Sequence, residues 1–383
     1  MSSAPLHRPM AARDPEEEHR VATPLELFFD LCFVVAVAQI AGELHHYVAD
    51  DHAGHAVLSF LAGWFAIWWA WMNVTWFASA YDTDDVPYRI ALLVTITGAL
   101  ILAAGVTQAF EQGDFLIIAI GYTVMRAALI TLWLRAARAH PEGRATARRY
   151  ALGLAVVQAA WLGWLLLPPG LQLPLFAAFA ACDLAVPVWA ELARRTPFHP
   201  HHIAERYGLF TLIVLGESVL SATTAVRSAV DTQEATARLF TVAAGGLLIV
   251  FSMWWLYFAK PAAELLLSQR TAFVWGYGHY LVFGAAAAVG AGLAVNVDHS
   301  VHHAAVGRVA AAAAVTLPVA LFLVVLWLLH IRPHQVGGRQ GLLFPLTAAL
   351  VLAATLLPAA VLVTGLLTAA LVAAGTIPRH PSR

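Results

Sequence analysis

Long uninterrupted apolar runs are the feature that most constrains what this chain can fold into. Stretches of the roughly 17–25 residues that a helix needs to cross a bilayer recur along all 383 residues, with short polar breaks between them. The chain is 60% hydrophobic and 12% charged, whereas a soluble domain carries about twice that charge. Because helices satisfy their backbone groups without water, we expect an all-α, polytopic transmembrane helix bundle embedded in a lipid bilayer.

Twelve apolar spans can be delimited in this way. The last two form one apolar block that only Pro358 interrupts, so eleven spans is the alternative. The predicted spans cover residues 24–44, 56–79, 90–110, 115–135, 150–168, 172–192, 204–225, 239–259, 272–296, 309–330, 341–357 and 359–377.

The basic residues that flank these spans predict an orientation, because cytoplasmic loops are enriched in lysine and arginine. Of the 22 basic residues, Arg126 lies within a span and only Arg227, Arg238 and Arg308 fall on one side of the membrane. The other 18 fall on the opposite side. We therefore expect a multi-pass protein of the cell membrane with both termini in the cytoplasm.

Two similar stretches suggest an internal repeat. "ELFFDLCFVV" begins at Glu26 and "ERYGLFTLIV" begins at Glu205, an offset near half the chain. An even number of spans per half gives both halves the same orientation, so we expect two six-helix halves related as a parallel pseudo-repeat. The expected organisation is a cytoplasmic tail (1–22), a first membrane half (23–200), a second membrane half (201–378) and a second tail (379–383).

Several classes of function find no support in the sequence. The net charge of −1 offers no basic surface for nucleic acid. Cys32 and Cys182 both lie in apolar runs and form neither a disulfide framework nor a CxxC metal site. No phosphate-binding loop, zinc-protease motif, serine-hydrolase motif or dinucleotide fingerprint is present, and the first 22 residues contain no signal-peptide core. We expect no cofactor and no enzymatic activity.

Charged residues inside the apolar runs are the candidate functional groups. Glu26 and Asp30 lie one turn apart on one helix face. A carboxylate within a span needs an ionic partner or a hydrated cavity, since its insertion costs about 2.5–3.5 kcal/mol. For Glu26 the alternative is a helix-capping role near the N-terminal end of the dipole, and for Asp30 it is a structural ion pair.

Further ionisable residues lie deeper in later spans. Glu217, followed by Ser218, lies near the middle of its span and shares a face with Arg206. Arg126 stays protonated when buried, so it must meet Asp30, Asp183 or Glu217. His279 is the one histidine placed deep in a predicted span, where it either relays protons or packs as a satisfied core residue. A structural pairing of Glu217 with an arginine is the competing interpretation.

Most of the other histidines cluster outside the spans. Imidazoles near carboxylates could bind Zn²⁺ or Cu²⁺, but the spacing matches no tight metal motif, and a solvated loop is the simpler interpretation. The exterior candidates are His45, His46, His302 and His303. "HPHH" (199–202), on the inner side, is interpreted in the same way.

The two opening stretches also carry a family resemblance. "TPLELFFDLCFVVAVAQI" and "ERYGLFTLIVLGES", together with "GYGHYLVFGA" around His279, are similar to the bacterial low temperature requirement A (LtrA) family. The resemblance implies a membrane-embedded protein from a family that is named for a growth phenotype in the cold. Its motif positions correspond here to Glu26, Asp30, Glu205, Arg206, Gly216, Glu217 and Ser218.

Three functions are compatible with these features. The first is a secondary transporter or proton- or ion-translocating protein, in which the intramembrane charges gather in one polar cluster and bind a small solute or ion. The second is a sensor or scaffold in cold adaptation, whose buried charges are structural ion pairs. The third, a membrane-embedded lipid-modifying enzyme, is disfavoured because no nucleophile–base pair is visible.

Overall fold

The computed structural model describes residues 5–15, 17, 20–231, 237–301, 303–334 and 339–376, and in these residues it contains helices and no strands. Short 3-10 and π segments cover 263–266, 327–334 and 339–342. The α-helices are α1 (Pro24–Ala49), α2 (Ala53–Tyr81), α3 (Val86–Ala104), α4 (Val106–Gln112), α5 (Leu116–Ala139), α6 (Arg144–Trp164), α7 (Pro169–Glu191), α8 (Pro200–Asp231), α9 (Ala237–Tyr257), α10 (Gln269–Ser300), α11 (Arg308–Leu326), α12 (Leu343–Ala354) and α13 (Ala360–Thr376).

Each of the twelve predicted spans corresponds to a helical segment, and the all-helical fold is confirmed. Within the described residues, nine helices are long and apolar enough to cross a membrane, with α3 and α4 counted together as one. The remaining three are α6, which begins with several arginines, and the shorter helices α12 and α13. A total of twelve spans, and the pseudo-repeat, therefore remain predictions.

Local sequence signals explain where the first helices begin. Thr23 and Glu26 form a reciprocal capping box, in which the Thr23 amide donates to Glu26 Oε2 (2.8 Å) and the Glu26 amide donates to Thr23 Oγ1 (3.2 Å). Pro24 occupies the first helical position, where its missing N–H costs nothing. Asp85 caps α3 by accepting a hydrogen bond from the Tyr88 amide. Glu26 therefore has the capping role that the sequence offered as the alternative to a functional one.

The chain folds into two compact units. The first comprises Met1–Ile40 and Leu61–Leu209, and the second comprises Ala41–Phe60 and Phe210–Arg383. In the first unit α3 packs on α5, α5 on α6 and α6 on α7. Gly98 and Gly121 bring the backbones of α3 and α5 together, since a Cβ added at Gly98 would lie 2.6 Å from the Gly121 carbonyl oxygen.

The second unit uses small residues in the same way. Helix α9 packs on α13 where Gly245 and Gly365 face each other, and a Cβ on Gly365 would lie 2.6 Å from the Gly245 carbonyl oxygen. Helix α10 packs on α11, and the Cβ of any larger residue at Gly292 would overlap the backbone of Ala314. Such close approaches are typical of helices packed in lipid, where van der Waals contact replaces much of the hydrophobic driving force.

Candidate functional site

The central feature of the first unit is a buried fork between Arg206 of α8 and Asp30 of α1. Arg206 Nε donates to Asp30 Oδ2 at 2.9 Å, and Arg206 Nη2 donates to Oδ1 at 2.6 Å. The indole N–H of Trp71, from α2, also donates to Asp30 Oδ1 at 2.7 Å. Asp30 and Arg206 are only 0% and 1% exposed. A planar guanidinium matched to both carboxylate oxygens is the strongest geometry for an ion pair.

Glu26 lies beside this fork and shares its arginine. Its Oε1 is 3.0 Å from Arg206 Nη1, although the angle is not that of a hydrogen bond. The Nε2 atom of His202, one turn before Arg206 on α8, lies 3.2–3.3 Å from the two Glu26 oxygens. Both Glu26 and His202 are buried. The first turns of α1 and α8 therefore meet through two acids, a guanidinium and an imidazole.

Arg20 and Asp82 complete the cluster outside the helices. Arg20 Nη2 donates to the Ala78 carbonyl at 2.9 Å and lies 3.9 Å from Glu26 Oε1. Burial lowers the pKa of Arg20 and raises the pKa of Asp82 to about 6, and the negative charge of Glu26 adds to the effect on Asp82. We refer to Arg20, Glu26, Asp30, Asp82, His202 and Arg206 as the charged cluster.

The formal charges of the charged cluster do not balance. Two guanidiniums, Arg20 and Arg206, give +2, and three carboxylates, Glu26, Asp30 and Asp82, give −3. With His202 neutral the sum is −1, and a single proton on His202 or on an acid brings it to zero. Buried charge is costly unless it is compensated, so neutrality favours one bound proton.

Many of the buried polar atoms without a hydrogen-bond partner lie in or beside this cluster. Tyr88, on α3, interacts electrostatically with four of its members, and Thr75 lies one turn along α2 from Trp71. Buried polar atoms in folded proteins are nearly always satisfied by protein or by water. Within the described residues the atoms concerned are Arg20 Nε and Nη1, Glu26 Oε1, Thr75 Oγ1, Tyr88 Oη, His202 Nδ1 and Arg206 Nη1.

The anion that Arg126 was predicted to need is Asp183, one of the three candidates. Arg126, on α5, donates through Nη2 to Asp183 Oδ1 on α7. Two indole N–H groups complete the carboxylate's shell, from Trp69 to Oδ1 (3.0 Å) and from Trp161 to Oδ2 (2.6 Å). Arg126 and Asp183 are both buried. This pair is a second ion pair of the first unit.

Glu217 and Ser218 belong to the second unit. Glu217 is 8% exposed and accepts a hydrogen bond from Ser221 Oγ (3.1 Å), one turn later on α8. Ser218 Oγ lies 2.9 Å from the Ala286 carbonyl on α10, where Gly290 allows the close approach. Ser218 therefore joins α8 to α10, whereas the hydrogen bond of Glu217 to Ser221 lies within α8.

His279, on α10, lies in an aromatic pocket of the second unit. Its Nδ1 donates to the Trp275 carbonyl (2.7 Å), which leaves Nε2 as an acceptor for the Tyr257 hydroxyl (3.0 Å). His330 Nε2 accepts the Trp275 indole N–H (3.1 Å) and lies 3.4 Å from His279 Nε2. Each Nε2 atom thus accepts a hydrogen bond, from Tyr257 at His279 and from Trp275 at His330. His330, the last residue of the neighbouring predicted span, is also buried and was not among the candidate residues.

The remaining candidates occupy the helix ends. Glu205 Oε2 accepts the Ala22 amide (3.1 Å). His45 and His46 lie in the last turns of α1 rather than in a loop, and His45 Nε2 lies 2.7 Å from Asp298 Oδ2. His302 is outside the described residues. In the part of the chain that is described, which includes His303, no group of three or more histidine, cysteine or acidic side chains is arranged to hold a metal ion.

Two members of the site were missed from the sequence. "HPHH" was interpreted as a solvated loop, which is wrong, because His199 and His202 are buried and His202 lies in α8. The signal was present, since His202 and Arg206 are four residues apart and so share a helix face. Trp71 was not among the candidate residues, and nothing in its sequence context distinguishes the indole that donates to Asp30.

Apolar helices of membrane-spanning length, with charges paired in their interior, define a multi-pass integral membrane protein. The chain matches the family described as bacterial low temperature requirement A protein (LtrA) over residues 21–375. The protein therefore belongs to the LtrA family, as the opening motifs predicted.

One relative among curated proteins is an uncharacterized protein of Rhizobium meliloti (strain 1021). It is 28% identical to this chain over 300 residues, which is 74% of this chain and 71% of the relative. The match carries no activity with it.

Proposed function

We propose that this protein translocates protons, alone or coupled to a small solute or ion, and that the charged cluster is where the proton binds. The observation that carries the proposal is the charge imbalance of −1 among the buried groups around Glu26. A group of this kind binds a proton in one state and releases it when its surroundings or its ion pairs change.

The arrangement favours a proton over a metal cation as the missing charge. Arg206 already supplies a fork to Asp30, and His202 Nε2 faces the remaining acid, Glu26. A proton can move between an imidazole and an adjacent carboxylate with little movement of heavy atoms. The unpaired atoms of Glu26, His202, Tyr88 and Arg206 are suited to hydrogen-bonding with water along a proton path.

The second unit offers a further place for a proton. The facing Nε2 atoms of His279 and His330 are 3.4 Å apart, and the Tyr257 hydroxyl is beside them. A proton on His279 Nε2 could donate to His330 Nε2 in a charge-assisted hydrogen bond, which would replace the hydrogen bonds that these two atoms now accept from Tyr257 and Trp275. We propose this histidine pair as a secondary proton-binding site and the charged cluster as the essential one.

Proton flux into liposomes tests the proposal. Purified protein is reconstituted with an internal pH-sensitive dye, and a membrane potential is imposed with potassium and valinomycin. We expect flux in wild type and a loss of at least about tenfold in Glu26→Gln and Asp30→Asn, because each change removes one acid of the cluster. Glu111→Gln, which alters an exposed carboxylate on α4, is the matched control and should retain wild-type flux.

The alternatives give different results in the same vesicles. A sensor or scaffold in cold adaptation gives no flux in any variant, with Asp30→Asn merely destabilised. A lipid-modifying enzyme gives turnover of vesicle lipid and no flux. Equal flux in wild type and in folded Glu26→Gln would contradict the role of the charged cluster. It would mean that protons cross the protein by a route that does not include Glu26.

We also propose that the protein lies in the inner membrane with both termini in the cytoplasm. The proposal is supported by the excess of basic residues on the side that carries the termini. In this orientation Arg20, Asp82 and the first turns of α1 and α8 are at the cytoplasmic end, so the charged cluster would exchange protons with that compartment.

A further inference from the structure

A cavity in the first unit, separate from the charged cluster, carries an inference of its own. It has a volume of about 70 Å³, is partly open, and is lined almost entirely by apolar atoms. At about 10–15 Å³ per water-sized atom, this is room for about five to seven non-hydrogen atoms. The aromatic side chains that line it are Phe65, Phe115, Tyr122, Trp161, Trp164 and Phe176.

The rings form a continuous aromatic wall. The ring centroids of Trp161 and Phe176 are 5.2 Å apart, those of Phe115 and Trp164 are 5.4 Å apart, and those of Trp161 and Trp164 are 5.5 Å apart. Edge-to-face and tilted contacts at these distances hold the side chains in place. The wall is therefore largely preformed, which lowers the entropy cost of binding a ligand.

One hydrogen-bond acceptor in this lining has no partner among the described residues. Gln158 is 7% exposed, lines the cavity, and has no hydrogen-bond partner for its Oε1 among the described residues. Its amide orientation follows from Thr123, whose hydroxyl donates to the Ala119 carbonyl (2.7 Å). The Thr123 oxygen can then only accept, so Gln158 presents its NH₂ group to it (2.7 Å) and leaves Oε1 free.

Asp183 also lines the cavity but does not demand a cationic ligand. Its oxygens receive Arg126 and the indole N–H groups of Trp69 and Trp161, so the ion pair is neutral and well satisfied. A cation bound beside it would also be near the Arg126 guanidinium. An uncharged ligand fits this environment better than an organic cation does.

We infer that this cavity binds a small uncharged, mainly apolar molecule whose single hydroxyl or N–H group donates to Gln158 Oε1, with a phenol as the representative chemistry. The rings supply shape and apolar contact, and the amide oxygen supplies the selection for a donor. A buried unpaired acceptor costs about 1–3 kcal/mol, so a ligand that donates to it gains affinity over one that only fills the space. The inference does not depend on proton translocation.

Two probes that differ in the donor hydroxyl and in one methyl group test the inference. 4-Bromophenol has eight non-hydrogen atoms and 4-bromoanisole has nine, so each would fill the cavity and extend into its open side. Bromine quenches tryptophan fluorescence at short range, so binding next to Trp161 and Trp164 is observable. Each probe is titrated into full-length protein in lipid nanodiscs, and the saturable part of the quenching gives an affinity. We expect 4-bromophenol to bind wild type about five- to tenfold more tightly than 4-bromoanisole, the size of one hydrogen bond.

Two variants separate the acceptor from the cavity. Gln158→Leu should remove the preference for 4-bromophenol and leave the affinity for 4-bromoanisole nearly unchanged. Ala119→Phe should fill the cavity and remove saturable quenching by both probes. Gln112→Leu, which alters an exposed glutamine at the end of α4, is the matched control. Thermal unfolding of each variant checks that it is folded.

Three outcomes would overturn the inference. Quenching without saturation in wild type would mean that the probes only partition into lipid. If the two probes bind wild type with equal affinity, and also bind Gln158→Leu with equal affinity, then Oε1 does not discriminate between a ligand with a donor and one without. Saturable quenching by brominated phosphatidylcholine, lost in Ala119→Phe and not displaced by phenol, would mean that a lipid acyl chain occupies the cavity.

Discussion

Arg206 is the residue on which the buried charges of the first unit depend. It contacts Asp30 through two hydrogen bonds and approaches Glu26 at 3.0 Å, and all three side chains are at most 1% exposed. Removing one partner of a buried ion pair leaves a charge without compensation, which costs about 3–5 kcal/mol. Removing the Arg206 guanidinium should therefore lower the free energy of unfolding more than removing either acid alone.

Arg206→Leu should therefore lower the free energy of unfolding by about 3–5 kcal/mol, measured by denaturation in mixed micelles. The double change Arg206→Leu with Asp30→Leu should recover part of that loss, because it no longer buries an unpaired carboxylate at position 30. Arg227→Leu is the control, since Arg227 is an exposed arginine of the same helix. A loss no larger than that of Arg227→Leu would contradict the role assigned to the fork.

Asp82 makes stability depend on pH in a defined direction. Its pKa in the folded protein is about 6, above the reference value of 3.8, because burial disfavours the carboxylate. The folded state therefore holds the proton more tightly than the unfolded state does, and stability falls as pH rises from about 4 to about 6. A shift of this size is worth about 3 kcal/mol as an order of magnitude.

Comparison of wild type with Asp82→Asn checks this dependence. Relative to the variant, wild type should lose stability between about pH 4 and pH 6 and then stay level, because the carboxamide does not titrate. Unfolding is measured at several pH values in the same detergent. Parallel stability curves for the two proteins would show that Asp82 titrates normally.

At the scale of single residues, the sequence indicated which charged residues matter more reliably than it indicated which of them form ion pairs. Glu26, Asp30 and Arg206 stand out because charge inside an apolar run is costly. The partner of Arg126 stayed open among three acids, because a sequence holds no distances between helices. His202 was missed because the predicted span begins at 204, whereas α8 begins at Pro200. Trp71 was missed because a sequence does not distinguish an indole that donates a hydrogen bond from one that only packs.

At the scale of helices, close backbone approach holds α3 against α5. A Cβ on Gly121 would lie 2.5 Å from both the Gly98 carbonyl oxygen and the Leu102 amide nitrogen. These are backbone atoms of the neighbouring helix, so no side chain can rotate away to make room. The helices would have to separate, and overpacking of this kind costs about 1–3 kcal/mol.

Gly121→Ala should accordingly lower the free energy of unfolding by about 1–3 kcal/mol. Gly42→Ala is the matched control, because no atom lies within 4 Å of a Cβ added there and the residue is exposed on α1. It should raise stability by up to about 1 kcal/mol through helix propensity alone. Equal effects of the two changes would contradict the close packing of α3 on α5.

Helix positions were the part of the fold that the sequence predicted best. Every predicted apolar run is helical, because length and hydrophobicity are properties of a single segment. The ends were less accurate. α1 continues to Ala49 and α8 to Asp231, since polar residues extend a helix beyond the hydrocarbon region at no cost. Hydropathy detects the apolar core of a span rather than its full helical length.

At the scale of the whole molecule, an even number of spans with basic loops inside predicts that both termini share the cytoplasm. Green fluorescent protein fused to either end should fluoresce, because it folds poorly after export in an unfolded state, and alkaline phosphatase fused to either end should be inactive. Active phosphatase at the C-terminus alone would indicate an odd number of spans, and one of α6, α12 or α13 would then not cross the membrane.

The central claim is that the charged cluster is one positive charge short and takes that charge as a proton. The most direct test is a difference titration of protons bound by wild type and by Asp82→Asn between pH 8 and pH 5, because the variant lacks the acid that leaves the cluster one positive charge short, and groups that do not interact with Asp82 cancel in the difference. With a pKa of about 6 for Asp82, wild type should take up nearly one proton per chain more than the variant. A difference below about one tenth of a proton, as for an ordinary aspartate, would contradict the account.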